Sequence, residues 1–162
     1  MPKVNIPFFT EIDFGEIPRS IIHNNYLVLD SKIKLRSKEV KLDLWMDTNE
    51  DLNAISFDTL ASVLDQLEDY DEFSITYISE NLGREDGSEH VKLYFEFLEE
   101  ECSITKDNAL NQIYLHRIGF YPNSLSAYAV FDYSLDHDIV GNQLLALKFG
   151  SDGKFSYIGW ES

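Results

Sequence analysis

The chain reads as an α+β domain: an antiparallel sheet built from an N-terminal hairpin and a C-terminal meander, with about three helices packed on one face. Three observations predict this. Apolar residues alternate with a period of two from about Tyr26 to Met46, recur at helical spacing from about 57 to 101, and alternate again from about 112 to 160. Strands, then helices, then strands is the order expected when helices are segregated to one side of an antiparallel sheet. With 162 residues, 44% of them hydrophobic, the chain suits a single domain over 1–162 with a substantial core.

The elements follow in order. Val40, Leu42, Leu44 and Met46 alternate with Lys41, Asp43 and Trp45, while Ile33 and Leu35 alternate with Lys32, Lys34 and Arg36. Arg36-Ser37-Lys38-Glu39 can turn the chain between them, and the polar side of this hairpin is basic, as suits a guarded sheet edge. From Asp58, Leu60, Val63, Leu64 and Leu67 fall on a helical stripe with Ser56 or Asp58 as N-cap. A second helix is predicted from about Glu72 to Leu82, ended by Asn81-Leu82-Gly83 and followed by an Asp86-Gly87 turn. Ser88 then caps a third, whose Val91, Tyr94, Phe95 and Leu98 share one side. Strands are predicted over 112–121, 127–134, 143–149 and 154–160. Turns at Pro122-Asn123-Ser124 and Ser151-Asp152-Gly153 are too short for crossovers, so these strands are expected to be antiparallel neighbours.

Arg117-Ile118-Gly119-Phe120-Tyr121-Pro122, Val130-Phe131-Asp132-Tyr133-Ser134, Leu147-Lys148-Phe149, Asp152-Gly153-Lys154 and Trp160-Glu161-Ser162 occur in that order. With the hairpin segment Val40-Lys41-Leu42-Asp43-Leu44 and the helix Val91-Lys92-Leu93-Tyr94-Phe95-Glu96-Phe97, the sequence resembles the bacterial family called domain of unknown function two thousand and four over most of its length. The resemblance implies a small bacterial α+β domain. It brings no activity, and no functional residue can be carried over from it.

Charge is distributed unevenly. Of a net −16, about −15 lies between Asp47 and Cys102, where seventeen Asp and Glu face only Arg84 and Lys92; residues 1–46 sum to about +1 and 103–162 to about −2. Aromatic residues run through the acidic stretch (Phe57, Phe73, Tyr77, Tyr94, Phe95, Phe97), so it reads as a folded surface rather than a disordered tail. Glu99-Glu100-Glu101 falls at a predicted helix C-terminus, where anions oppose the helix dipole, and cations for i, i+4 pairing are nearly absent. These features point to a non-catalytic binding module whose acidic helical face, through Glu68, Asp69, Asp71, Glu72, Glu99, Glu100 and Glu101, engages a basic protein partner, with an immunity-type protein as one form. The pI near 4.4 argues against nucleic acid, which needs clustered Lys and Arg. No apolar run reaches a membrane span, and Met1 to Pro7 lack a signal-peptide core. With Cys102 the sole cysteine, a cytoplasmic setting is expected.

Candidate chemistry is sparse. Asp47, Asn49 and Asp51 fall at calcium-loop positions one, three and five, with Asp58 at twelve; this makes a calcium-binding module or metal-assisted enzyme the alternative reading. Leu52 stands where the sharp turn needs Gly, so helix-capping carboxylates account for the pattern better. Asp136-His137-Asp138 with Gly141 fails the same pattern at Val140 and Leu147. His116, His137, Asp132, Asp136 and Asp138 comprise residue types that bind metals or act as bases, but their spacing gives no support. His23 and His90 are isolated. Glu99-Glu100-Glu101 would raise the pKa of Cys102 and suppress its nucleophilicity. Gly83-Arg84-Glu85-Asp86-Gly87 carries acids that would repel phosphate, and no Gly-x-Ser-x-Gly elbow occurs. No enzyme and no cofactor are therefore expected. A third reading pairs Lys32, Lys34, Arg36 and Lys38 with the acidic helices of a second copy, giving a homo-oligomer.

Overall fold

Seven strands form one sheet in chain order in a computed structural model that describes residues 4–9 and 11–162. Met1, Pro2 and Lys3, part of the N-terminal stretch that lacks an apolar core, lie outside the described residues. The strands are β1 (Ile22–His23), β2 (Tyr26–Leu35), β3 (Lys38–Asp47), β4 (Tyr114–Phe120), β5 (Ala129–Ser134), β6 (Leu144–Phe149) and β7 (Phe155–Glu161). Four helices, α1 (Asp58–Asp65), α2 (Leu67–Gly83), α3 (Glu89–Cys102) and α4 (Lys106–Gln112), fill the connection from β3 to β4. The α+β class is thus as predicted.

The expectation of a wholly antiparallel sheet needs one correction. The hairpin and the meander do pair antiparallel, but β3 and β4 join side by side in parallel, with Lys41 opposite Arg117 and Leu44 opposite Phe120. A parallel pair needs a crossover long enough to carry the chain back, and the helical block of residues 48–113 supplies it. The helices also differ in number and extent. The second begins at Leu67 rather than Glu72, because Gln66 breaks α1 from α2 by leaving helical geometry, with φ −113° and ψ 30°. A fourth, α4, is capped by Thr105, whose hydroxyl accepts from Asn108 N–H. The hairpin turn is two residues, Arg36 and Ser37, both at positive φ as the twist-matched hairpin turn requires.

One face of the sheet carries the core. Leu42, Leu44 and Met46 on β3, Leu115, Ile118 and Phe120 on β4, and Ala129, Phe131 and Tyr133 on β5 point into a continuous apolar cluster shared with Leu60, Val63, Ile78, Val91, Tyr94, Phe95 and Leu98 of the helices. Leu115 and Ile118 are three apart because a bulge at His116 breaks the alternation: two residues of β4 stand opposite Asp132 of β5. Asp71 of α2 is buried. It pairs with Arg36 in the hairpin turn and accepts the Tyr133 hydroxyl at 2.6 Å, pinning α2 to both halves of the sheet. Asn81 closes the far end of α2, donating to Tyr77 O and accepting Ser88 N–H at 2.8 Å. Among the described residues, no helix is long and apolar enough to cross a membrane.

Candidate functional site

Two surfaces stand out: the acidic outside of α2 and α3, and the opposite side of the sheet, on which no described helix packs. On α2, Glu68, Asp69 and Glu72 are exposed; on α3, so are Glu99, Glu100 and Glu101. The connection 84–88 is five residues long, and α2 and α3 are in contact. Among the described residues, the only carboxylate between Asp47 and Cys102 within ion-pair distance of a lysine or arginine is Asp71. Asp71 itself must be removed from the set expected to meet a partner. It is 6% exposed and already held by Arg36 and Tyr133.

The helix-free face is built around Arg117. The bulge turns His116 and Arg117 toward the same side, where Asp43 of β3 and Asp132 of β5 also project. Arg117 Nε and Nη2 donate to the two oxygens of Asp43 at 2.5 and 2.6 Å, Nη1 donates to Asp132 Oδ2 at 2.7 Å, and Nη2 also donates to the Tyr121 hydroxyl at 2.9 Å. Burial alone would lower the Arg117 pKa, but the hydrogen bonds and charge of Asp43 more than reverse this. Burial pushes the Asp132 carboxyl up to about 6 against the pull of Arg117. The guanidinium lies over Gly119, where a Cβ would come within 2.5 Å of Nη2.

Two cavities flank this network. One, about 430 Å³, is bordered by Arg117, Lys148 and an aromatic group in which Trp45 stacks on Tyr121 at 6.2 Å and meets Tyr26 edge-on at 6.0 Å. The other, about 540 Å³, brings together His116, Asp132, Asp136, His137 and Asp138, the five residues whose spacing in the sequence gave no reason to group them. Asp136 accepts the Tyr114 hydroxyl at 2.9 Å, and His137 Nδ1 accepts Ile139 N–H at 3.2 Å. Burial lowers the pKa of His116, against the opposing effects of the Ser134 backbone and Asp136.

The calcium-loop residues have local structural tasks. Asp47 Oδ1 accepts Asn49 N–H and Asp51 Oδ1 accepts Asn53 N–H, each closing a turn, while Asp58 occupies the first turn of α1. Among the described residues, no three His, Cys, Asp or Glu side chains are placed to share a metal ion. Cys102 is buried, and burial followed by the charge of Glu101 raises its pKa. The hairpin cations do not share one face as expected: Lys32 meets Glu39 at 3.6 Å, Arg36 turns to Asp71, and the Lys38 amine sits over the Tyr114 ring at 3.7 Å. Asp43, Trp45, Arg117 and Tyr121 were missed as site residues. The signal for the bulge was present in the three-residue step from Leu115 to Ile118, but Asp43 and Arg117 meet only through the parallel pairing.

No family model, curated protein or solved structure matches the chain.

Proposed function

We propose that the protein is a non-catalytic binding module whose acidic helical layer engages a basic protein partner. The observation that carries this reading is the lack of ion-pair partners around Glu68, Asp69, Glu72, Glu99, Glu100 and Glu101 among the described residues. A helix that only needs solvation usually offsets its acids with i, i+4 cations. Here three carboxylates occupy the last turn of α3 with no basic residue beside them, against the helix dipole. A partner's lysines and arginines would relieve that cost on binding. The negative field would also steer association from a distance and make it salt-sensitive.

An immunity-type protein that masks a cationic toxin is one concrete form of this reading, by analogy of task alone. The order of the C-terminal motifs supports placing the chain in the family called domain of unknown function two thousand and four. The same resemblance and the single buried cysteine support a bacterial cytoplasmic setting.

The test is affinity capture from native cells at low salt, using the wild type and a variant carrying Glu68→Gln, Asp69→Asn, Glu72→Gln, Glu99→Gln, Glu100→Gln and Glu101→Gln. The expected result is a basic protein held by the wild type at low salt, released at high salt and not held by the variant. Capture indifferent to both salt and substitution would sink the reading.

A further inference from the structure

The buried positions of α2 are Leu67, Asp71, Ser74, Ile78 and Asn81, so three of these five are polar. Two of its aromatic residues lie on the flank of that stripe instead: Phe73 is 44% exposed and Tyr77 is half-buried. A helix that only packs turns such rings inward, and departures from that pattern concentrate at functional positions. The two rings, one helical turn apart, stack at 6.2 Å. Phe155 at the start of β7 meets Tyr77 at 4.5 Å and Phe73 at 5.7 Å, and the buried Phe149 of β6 lies 5.9 Å from Phe73. Here α2 and the β6–β7 turn border a groove of about 310 Å³ lined by the rings of Tyr70, Phe73, Phe149 and Phe155. The Tyr70 hydroxyl donates to Gly153 O at 2.7 Å and ties the two walls together, so the groove is formed before anything enters it.

Charge decides which side chain suits the groove. α2 has no lysine or arginine. Asp69 lines the groove, and helical spacing puts Asp69, Phe73, Tyr77 and Glu80 along one side, so a carboxylate stands at each end of the ring pair. Glu72 is exposed next to Phe73 in the chain, and Lys154 is the only cation in the lining. Rings rimmed by carboxylates fit an apolar group carried between cations and disfavour one carried between acids. A few buried aromatic contacts supply most of the affinity of an interface, while the charges around them set association rate and partner choice. We infer that this groove is the anchor point of the acidic layer, receiving from a basic partner a large apolar side chain flanked by lysines or arginines. The inference rests on the acidic-layer reading above and adds what carboxylates alone do not supply, a packed apolar centre to the interface.

The test is an NMR titration of the full chain with three short peptides: tryptophan between lysines, serine between lysines, and tryptophan between serines. Saturable shifts are expected at the Phe73, Tyr77 and Phe155 rings, and tryptophan between lysines should bind about tenfold tighter than either of the others. Phe73→Ser and Tyr77→Ser, each checked for an unchanged fold by its amide spectrum, should bring that peptide down to the affinity of serine between lysines, with its salt sensitivity retained. Equal binding of the two lysine peptides would overturn the groove and leave the acidic-layer reading standing. Equal binding of the two tryptophan peptides would remove the need for flanking cations and overturn both. A preference for tryptophan that survives both substitutions would place the apolar contact elsewhere and overturn the groove alone.

Discussion

Gly119 shows how one missing side chain organises the helix-free face. The Arg117 guanidinium occupies the space a Cβ would take, and it is pinned there by Asp43, Asp132 and Tyr121. Gly119→Ala must shift the guanidinium against both carboxylates, but it is the far end of a flexible side chain, so the expected loss in chemical denaturation is about 1 kcal/mol. Asp132 gives a second residue-level prediction. Its folded pKa is about 6 against an ordinary 3.8, so the folded state holds this proton more tightly than the unfolded chain. The stability linked to it is present below pH 4 and falls by about 3 kcal/mol as pH rises through 6. Carbon-detected NMR of the Asp132 carboxyl should show a midpoint near 6, and Asp132→Asn should remove that slope from the stability profile. None of this network was legible in the sequence. Asp43, Arg117 and Asp132 each read as an ordinary polar position of a half-buried strand, and only strand order brings them together.

Among the elements, α3 shows the clearest conflict between local stability and charge. Glu99, Glu100 and Glu101 sit in its last turn, where each anion costs about 0.3–1 kcal/mol against the dipole. Neutralising all three should therefore raise the melting temperature while weakening partner binding, a pairing that a merely solvated helix would not give. The α2–α3 connection depends on Gly87, where a Cβ would stand 2.0 Å from Asn81 O. Backbone cannot yield as a flexible side chain can, so Gly87→Ala should lower thermal stability more than a surface substitution does, by about 2 kcal/mol or more. The C-terminal meander was readable because Pro122-Asn123-Ser124 and Ser151-Asp152-Gly153 punctuate clean alternation. The start of α2 was not, since Leu67 fits the apolar stripe of either helix. α4 was hidden for a different reason: it is seven residues long, mostly polar, and buries only Ala109, leaving Thr105 as its one local sign. The β3–β4 pairing joins residues separated by the entire helical block, so no local pattern could specify it.

At the scale of the molecule, the chain combines a well-filled core with a net charge of −16, most of it on one layer. Self-repulsion of that layer weakens the compact state, and salt screens it within about 10 Å at 0.1 M. Thermal stability should therefore rise with sodium chloride, and the variant lacking the six helical carboxylates should show a visibly smaller rise. The same screening must weaken attraction to a basic partner, so salt should act in opposite directions on folding and on binding. The most direct measurement is the dissociation constant of the captured partner at low and high sodium chloride, for the wild type and the six-substituted variant. An acidic helical layer that engages a basic surface predicts at least a tenfold loss of wild-type affinity with salt, and a variant that binds weakly with little salt dependence. Equal affinities for the two proteins, unchanged by salt, would contradict it.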